Sequence, residues 1–300
     1  MSDFSKGAAW IDGQIVPIAQ AALPVTDWGL THSDAVYDTV PVWQGAFFRL
    51  PDYTARFWQS VAANRLDPSQ GPDALIQALH DIVAISGLRD AYVVMVSTRG
   101  RNPIQGSRDP RDCTNTLYAW AVPYVHIVKP EAALRGTSVW IAKRVRRIPE
   151  DSVNPKAKNY HWGDFTSGLF EAKDQGFETC LLLDHQGNMT EGPGFNAFAV
   201  FGNTLVTSDH GVLHGISRQT ALDMAAEAGL SCETRPLPLE EFMEADEVFL
   251  TSSGGGILPV ARVDDRQFSN GSAGPVSLAL RERYFDWIAR PAYRTEISYG

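Results

Sequence analysis

Short apolar runs separated by glycine-containing turns open the chain. Ala8–Ile11 and Gln14–Pro17 flank Asp12-Gly13, a pair that tolerates positive φ at both central turn positions, and so predict a β-hairpin. Residues 36–43 and 46–49 flank Gln44-Gly45 and predict a second. Residues 51–66 read as a helix, and 72–86 as a better marked one, with Pro72 in its first turn and Gly87 past its end. Residues 91–98 and 116–124 are β-rich. The stretch 125–135, with Pro130 inside it, is the expected interdomain linker. Beyond it the pattern predicts a strand near 137–143, a helix over about 162–175 stopped by Gly176, and a strand at 179–184. Phe195–Phe201 and Thr204–Thr207 form a hairpin pattern around Gly202-Asn203. A helix follows at 218–228, with Ser217 as N-cap and Gly229 beyond its end. A short strand at 247–251 runs into Ser252-Ser253-Gly254-Gly255-Gly256, and a last helix covers about 276–289. Strands and helices mix without strict βαβ alternation. The expected fold class is therefore α+β (mixed α/β), with a small N-terminal domain over 1–124, the linker 125–135 and a larger C-terminal domain over 136–300.

Charge narrows the partners. Against 26 Lys and Arg stand 35 Asp and Glu, a formal charge of −9, which repels phosphate backbones and argues against nucleic acid. The basic run Lys143-Arg144-Val145-Arg146-Arg147 reads as the solvated face of a strand and turn. The three cysteines, Cys113, Cys180 and Cys232, are widely spaced and form no CxxC, which favours free thiols over disulfides or a zinc site. The seven histidines show no HExxH spacing, so no metal is expected. No run approaches the ~18 apolar residues that a membrane helix needs, and the first residues lack a signal-type apolar region. A cytoplasmic protein without a membrane partner is the expectation.

Four segments carry candidate chemistry. In Asn154-Pro155-Lys156-Ala157-Lys158-Asn159-Tyr160, two lysines precede a predicted helix; a lysine that loses its proton forms imines, and two surface lysines on a loop are the alternative. In Thr190-Glu191-Gly192-Pro193-Gly194, a single acid stands between a turn and an apolar strand, where it can pair with a protonated ring nitrogen or simply lie exposed in the turn. Leu213-His214-Gly215-Ile216-Ser217 runs into a helix start, a natural phosphate site as well as a common cap. Thr251-Ser252-Ser253-Gly254 offers hydroxyls and a flexible backbone for an anion. Together they supply an imine lysine, a pyridinium partner and two phosphate cradles, the set that pyridoxal 5'-phosphate (PLP) requires. No GxSxG, Walker loop or GxGxxG supports a hydrolase or nucleotide-binding reading.

These segments, with His32-Ser33-Asp34, Tyr37-Asp38, Ser97-Thr98-Arg99-Gly100, Trp162-Gly163-Asp164 and Gly194-Phe195-Asn196, resemble the fold type IV PLP enzymes: branched-chain and D-amino acid aminotransferases, aminodeoxychorismate lyases and, closest, (R)-selective amine transaminases. The resemblance implies a small N-terminal α/β domain, a larger C-terminal pseudo-barrel domain that binds PLP, and a homodimer. It implies Lys158 as Schiff-base lysine and proton shuttle, and Glu191 as partner of the pyridine nitrogen. Arg65, Leu213, Gly215, Ile216, Ser217, Ser252 and Ser253 would complete the cofactor site, chiefly around the phosphate. His32, Tyr37, Tyr92, Val94, Gln105, Trp162 and Leu213 would line the substrate pockets. The implied reaction moves an amino group between a primary amine, (R)-configured and apolar or aromatic, and a keto acid such as pyruvate. A D-amino acid or branched-chain aminotransferase is the alternative, with a lyase or a non-catalytic PLP-binding protein behind it. Two positions depart from the pattern. Gln105 stands where relatives use an arginine to read a substrate carboxylate, with Arg101 and Arg108 nearby, and Val94 stands where some carry a glutamate. A neutral amide makes no bidentate ion pair, so both changes favour apolar amines.

Overall fold

Asp12 (φ 52°) and Gly13 (φ 76°) both take the left-handed conformation that joins β1 (Ala8–Ile11) to β2 (Gln14–Pro17) in an antiparallel pair. The structure, a computed structural model, describes residues 3–300. The chain divides into two units. The first is Met1–Val125 with Ala157–Tyr160 and Ile288–Gly300, and the second is His126–Lys156 with His161–Trp287. The division is not a single cut: the segment bearing Lys158 packs with the first unit, although the chain on both sides of it belongs to the second.

The first unit continues with α1 (Trp28–Thr31), β3 (Ala35–Trp43), β4 (Ala46–Phe48), α2 (Leu50–Ala63), α3 (Pro72–Ser86), β5 (Ala91–Arg101) and β6 (Thr114–Pro123). Among the described residues its sheet runs β4-β3-β5-β6-β1-β2, with a C-terminal strand, Arg294–Glu296, added to β4. Gln44 (φ 50°) and Gly45 (φ 79°) turn β3 into β4, as Gln-Gly between apolar runs predicts. α3 buries Leu75, Leu79, Ile82 and Val83, a stripe at helical spacing. β3 is buried over Ala35–Val42, the signature of a strand covered on both faces. At Gly100 (φ 75°) the β5–β6 register slips; a Cβ there would lie 1.8 Å from the Thr114 carbonyl oxygen, so only glycine fits.

The second unit holds α4 (Pro130–Arg135), β7 (Thr137–Ile141), α5 (Gly163–Asp174), β8 (Thr179–Leu181), β9 (Glu191–Gly192), β10 (Phe195–Phe201), β11 (Thr204–Thr207), α6 (Ile216–Glu227), β12 (Ser231–Thr234), α7 (Leu239–Met243), β13 (Glu247–Ser252), β14 (Gly256–Val263), β15 (Arg266–Gln267) and α8 (Pro275–Ile288), whose final residue belongs to the first unit. Its mixed sheet runs β12-β11-β10-β13-β14-β7-β8 among the described residues, with β9 on β10 and β15 on β14. Ile141, Leu181, Phe195, Ala197, Leu250 and Leu258 build its core. Helices and mixed sheets make the protein α+β.

Three expectations change. The stretch expected to be a linker contains α4, because Pro130 occupies the first turn, where its missing N–H costs nothing. Ser217 is not the N-cap of α6: Gly215 caps it, and Ser217 lies buried within the first turn. The glycine run after β13 is a tight turn, with Gly256 at φ 68°, that feeds β14 directly. Among the described residues no helix is long and apolar enough to cross a membrane.

Candidate active site

Lys158 and Lys156 part company in the structure: Lys156 is exposed, and Lys158 is half-buried. Lys158 is held through its backbone. Its N–H donates to Ser60 Oγ (3.1 Å), its carbonyl accepts from Tyr37 N–H (3.0 Å), and Asn159 bridges to Val36 on β3. Its Nζ lies 4.4 Å from the centroid of the Tyr37 ring, and Tyr160 stacks on Tyr37 with centroids 4.3 Å apart and planes 6° apart. An ammonium over an aromatic face is attracted by the ring quadrupole. Burial raises the phenols of Tyr160 and of Tyr92 on β5 above their usual range, so both remain neutral donors. Beneath them lies a buried ion pair, Arg56 Nε and Nη2 to Asp38 Oδ2 and Oδ1 at 2.8 and 2.6 Å. Ser60 Oγ also donates to the Arg56 carbonyl (3.0 Å), so α2 carries both the buried guanidinium and the anchor of the Lys158 backbone.

Glu191 is built on β9, where the register pairs it with Asn196 on β10, and Asn196 in turn with Thr251 on β13. Directly opposed residues share a face, so these three side chains stand side by side. Glu191 is 5% exposed. Its Oε2 accepts from Leu213 N–H (3.0 Å) and Asn196 Nδ2 (3.4 Å), and its Oε1 from Arg147 Nε (3.2 Å). Arg147 Nη1 also donates to Asp164 Oδ2 at 2.6 Å. Thr251 Oγ1 is buried without a hydrogen-bond partner among the described residues, an orphan that a ligand would satisfy. Gly192 follows the acid because a Cβ there would meet the Phe195 ring at 2.2 Å and the Cys180 carbonyl oxygen at 2.4 Å. Burial pushes the Cys180 thiol up to about 12, so it stays protonated and inert.

α6 starts with no side-chain cap on its first N–H groups, which leaves them for an anion. Gly215 precedes it, and a Cβ there would lie 2.4 Å from Asn196 Oδ1. Ser217 Oγ is 3.4 Å from the Tyr284 hydroxyl. Ser252 Oγ accepts from Gly254 N–H (3.1 Å), and Ser253 follows half-buried.

The remaining expected residues scatter. Val94 is buried on β5, two residues from Tyr92 and so on the same face of the strand. His32 is exposed at the end of α1, stacked on Trp28. Gln105 and Arg108 are exposed in the loop between β5 and β6, and Arg101 is exposed at the end of β5. Trp162 is half-buried at the start of α5, edge-on to Phe165. Arg65 is exposed; its carbonyl accepts from Arg99 Nη1 (2.8 Å), and it lines a separate cavity of about 310 Å3 with Arg99, Arg111 and Cys113. The buried guanidinium of α2 is Arg56, which sequence reasoning missed. Its signal was available: an arginine on the stripe of Tyr53, Phe57 and Val61 needs a buried partner. Arg147 was missed as well, hidden in a basic run.

Residues 35–263 match the family model for amino-transferase class IV. The putative branched-chain-amino-acid aminotransferase of Methanocaldococcus jannaschii is 29% identical over 280 residues, covering 92% of this chain and 95% of that one. The D-alanine aminotransferase of Bacillus licheniformis is 28% identical over 272 residues, covering 89% and 92%. Among solved structures, the branched-chain amino acid aminotransferase from Thermobaculum terrenum in its PLP form superposes with a TM-score of 0.87 at 25% identity, covering 98% of this chain and 99% of that one. The two-unit α+β architecture is thus that of fold type IV. A family match across most of the length, joined to a tethered lysine and a buried acid on a strand, makes this chain a class IV aminotransferase, an enzyme that works with PLP.

Proposed function

We propose that this aminotransferase moves the amino group of an apolar or aromatic primary amine, (R)-configured, to a keto acid such as pyruvate. The observation that carries the reading is the absence of a basic side chain at position 105, where an exposed glutamine stands. The buried Val94 supports it by giving β5 an apolar wall beside Tyr92. The residues present fit PLP: a lysine held over an aromatic face, a carboxylate with three N–H donors, an uncapped helix start and an orphaned hydroxyl at Thr251. PLP, when bound, supplies the electron sink. Lys158 Nζ would hold the cofactor and, when free, would serve as the base that carries a proton away from the donor α-carbon. Glu191 would face the ring nitrogen and favour its protonated form. Ile216 and Ser217 N–H groups, with Ser252 and Ser253, would receive the phosphate, and we assign the buried cation of the site to Arg56.

A second reading, a branched-chain or D-amino acid aminotransferase, is favoured by the names of the relatives. A panel of (R)- and (S)-aryl-alkyl amines, D-alanine and L-leucine with pyruvate separates the two; preference for L-leucine or D-alanine overturns the amine reading. Gln105→Arg is expected to raise kcat/KM for carboxylate-bearing substrates about tenfold, the scale of one charge-assisted pair. An unchanged response to pyruvate shows that another group reads the carboxylate.

We also propose a cytoplasmic homodimer. A cavity of about 450 Å3 in the first unit is lined by Ile11, Ile18, Leu23, Leu30 and Trp120, with Leu30 71% exposed at its edge and Val25 76% exposed nearby in sequence. Such an apolar face is suited to a second copy. Leu30→Asp is expected to move the protein from dimer to monomer in sedimentation velocity; an unchanged dimer removes this face from the interface.

A further inference from the structure

We propose that Asp164 is a positioning residue for the ring-nitrogen proton: it takes up the charge of Arg147, so that Glu191 keeps a surplus negative charge toward the cofactor. The inference rests on the pairing of Glu191 with that nitrogen. Its basis is an unequal sharing of one buried cation between two buried carboxylates. Arg147, Asp164 and Glu191 are 6%, 7% and 5% exposed. Arg147 reaches Asp164 Oδ2 at 2.6 Å and Glu191 Oε1 at only 3.2 Å.

Asp164 is locked in place. Ile148 N–H donates to the same Oδ2 (3.0 Å), and Phe165 N–H to the other oxygen (2.7 Å). Arg147 is held too, by its N–H on the Leu183 carbonyl (2.9 Å) and by its guanidinium 4.3 Å from the Phe165 ring centroid. Glu150, Asp151, Asp184, His185 and His210 line, with Arg147, a cavity of about 770 Å3; Glu150 accepts from Gly211 N–H, and Asp184 from Gln186 and Asn188 N–H.

The arithmetic of charge then decides the sign of each substitution. With Asp164 present, the triad carries two negative charges and one positive, a surplus of one anion. Asp164→Asn leaves Arg147 and Glu191 as a neutral pair with no surplus to hold a proton on a neighbouring heterocycle. Arg147→Gln leaves two unshielded carboxylates, and the proton is held more firmly. A purely structural role predicts one direction for both substitutions, because either one loosens the same contact.

The test uses holoenzyme reconstituted with PLP carrying 15N in the ring, and follows the nitrogen chemical shift against pH. The wild type is expected to show a protonated nitrogen through neutral pH. Asp164→Asn should release the proton about one pH unit or more lower, Arg147→Gln should hold it to higher pH, and the double variant should fall between them. Asp164→Asn should also lower kcat about tenfold while KM for the amine changes less than about twofold. If Arg147→Gln does not fold, Arg147→Lys keeps the charge and is expected to titrate as the wild type does, and Asp164→Asn alone still carries the sign. Movement of both variants in one direction, or of neither, overturns the role of Asp164. A wild-type nitrogen that is unprotonated, or one that Glu191→Gln leaves unaltered, instead overturns the pairing with Glu191 on which the inference stands.

Discussion

Lys158→Ala is expected to abolish transamination, with turnover down about 10⁴-fold or more, and to remove the absorbance of the lysine-linked cofactor. Loss of a general base alone costs about 10²–10⁴-fold, and here the covalent tether goes with it. Stability should survive. The bonds that fix this segment run through the Lys158 backbone, to Ser60 Oγ and from Tyr37 N–H, and alanine keeps both. The side chain gives up a cation–aromatic contact worth about 0.5–1 kcal/mol at a partly exposed site. The measurement pairs steady-state rates with a melting curve and a visible spectrum. Normal turnover in this variant is incompatible with Lys158 as the reacting amine.

The second large effect falls on Glu191. Glu191→Gln preserves shape, and the amide oxygen can still accept from Leu213 N–H, but the negative charge is gone. The expected loss is about 10²–10³-fold in kcat, the scale of removing one preorganised electrostatic contact. The cofactor should stay attached to Lys158, so the visible absorbance persists, which distinguishes this variant from Lys158→Ala. An undiminished kcat would remove Glu191 from the chemistry. The protein should remain folded, because Arg147 retains its 2.6 Å bond to Asp164 and is not stranded as a lone buried charge.

Turn chemistry made much of the fold legible. Asp12-Gly13, Gln44-Gly45 and Gly202-Asn203 each marked a hairpin, because positive φ demands such residues, and each hairpin is present. Pro72 and Gly87 bounded α3 for equally local reasons. What stayed hidden depends on distant partners. Arg147 sits among four other residues of a basic run, and nothing local says that carboxylates 17 and 44 positions away bury it. Arg65 and Arg56 look alike as letters; only the Asp38 carboxylate on another element separates a buried guanidinium from an exposed one. β12 was invisible because all four of its residues, Ser231–Thr234, are exposed, so no apolar alternation marked it. β14 lies directly behind the glycine run, and no turn pattern in the sequence marks its start. The stretches bearing Lys158 and Glu191 are weak signals one by one, each with a loop or turn alternative; their combination and the resemblance to fold type IV enzymes single them out.

The four-residue segment Ala157–Tyr160 belongs to a unit from which its flanking chain is excluded. Modular exchange is therefore constrained. A chimera that takes everything after Val125 from a relative imports a foreign lysine-bearing strip, which must then hydrogen-bond to the resident β3 and α2 through Tyr37 and Ser60. The halves of this enzyme are not interchangeable cassettes, and recombination that spares activity has to inherit residues 35–60 together with residues 157–160.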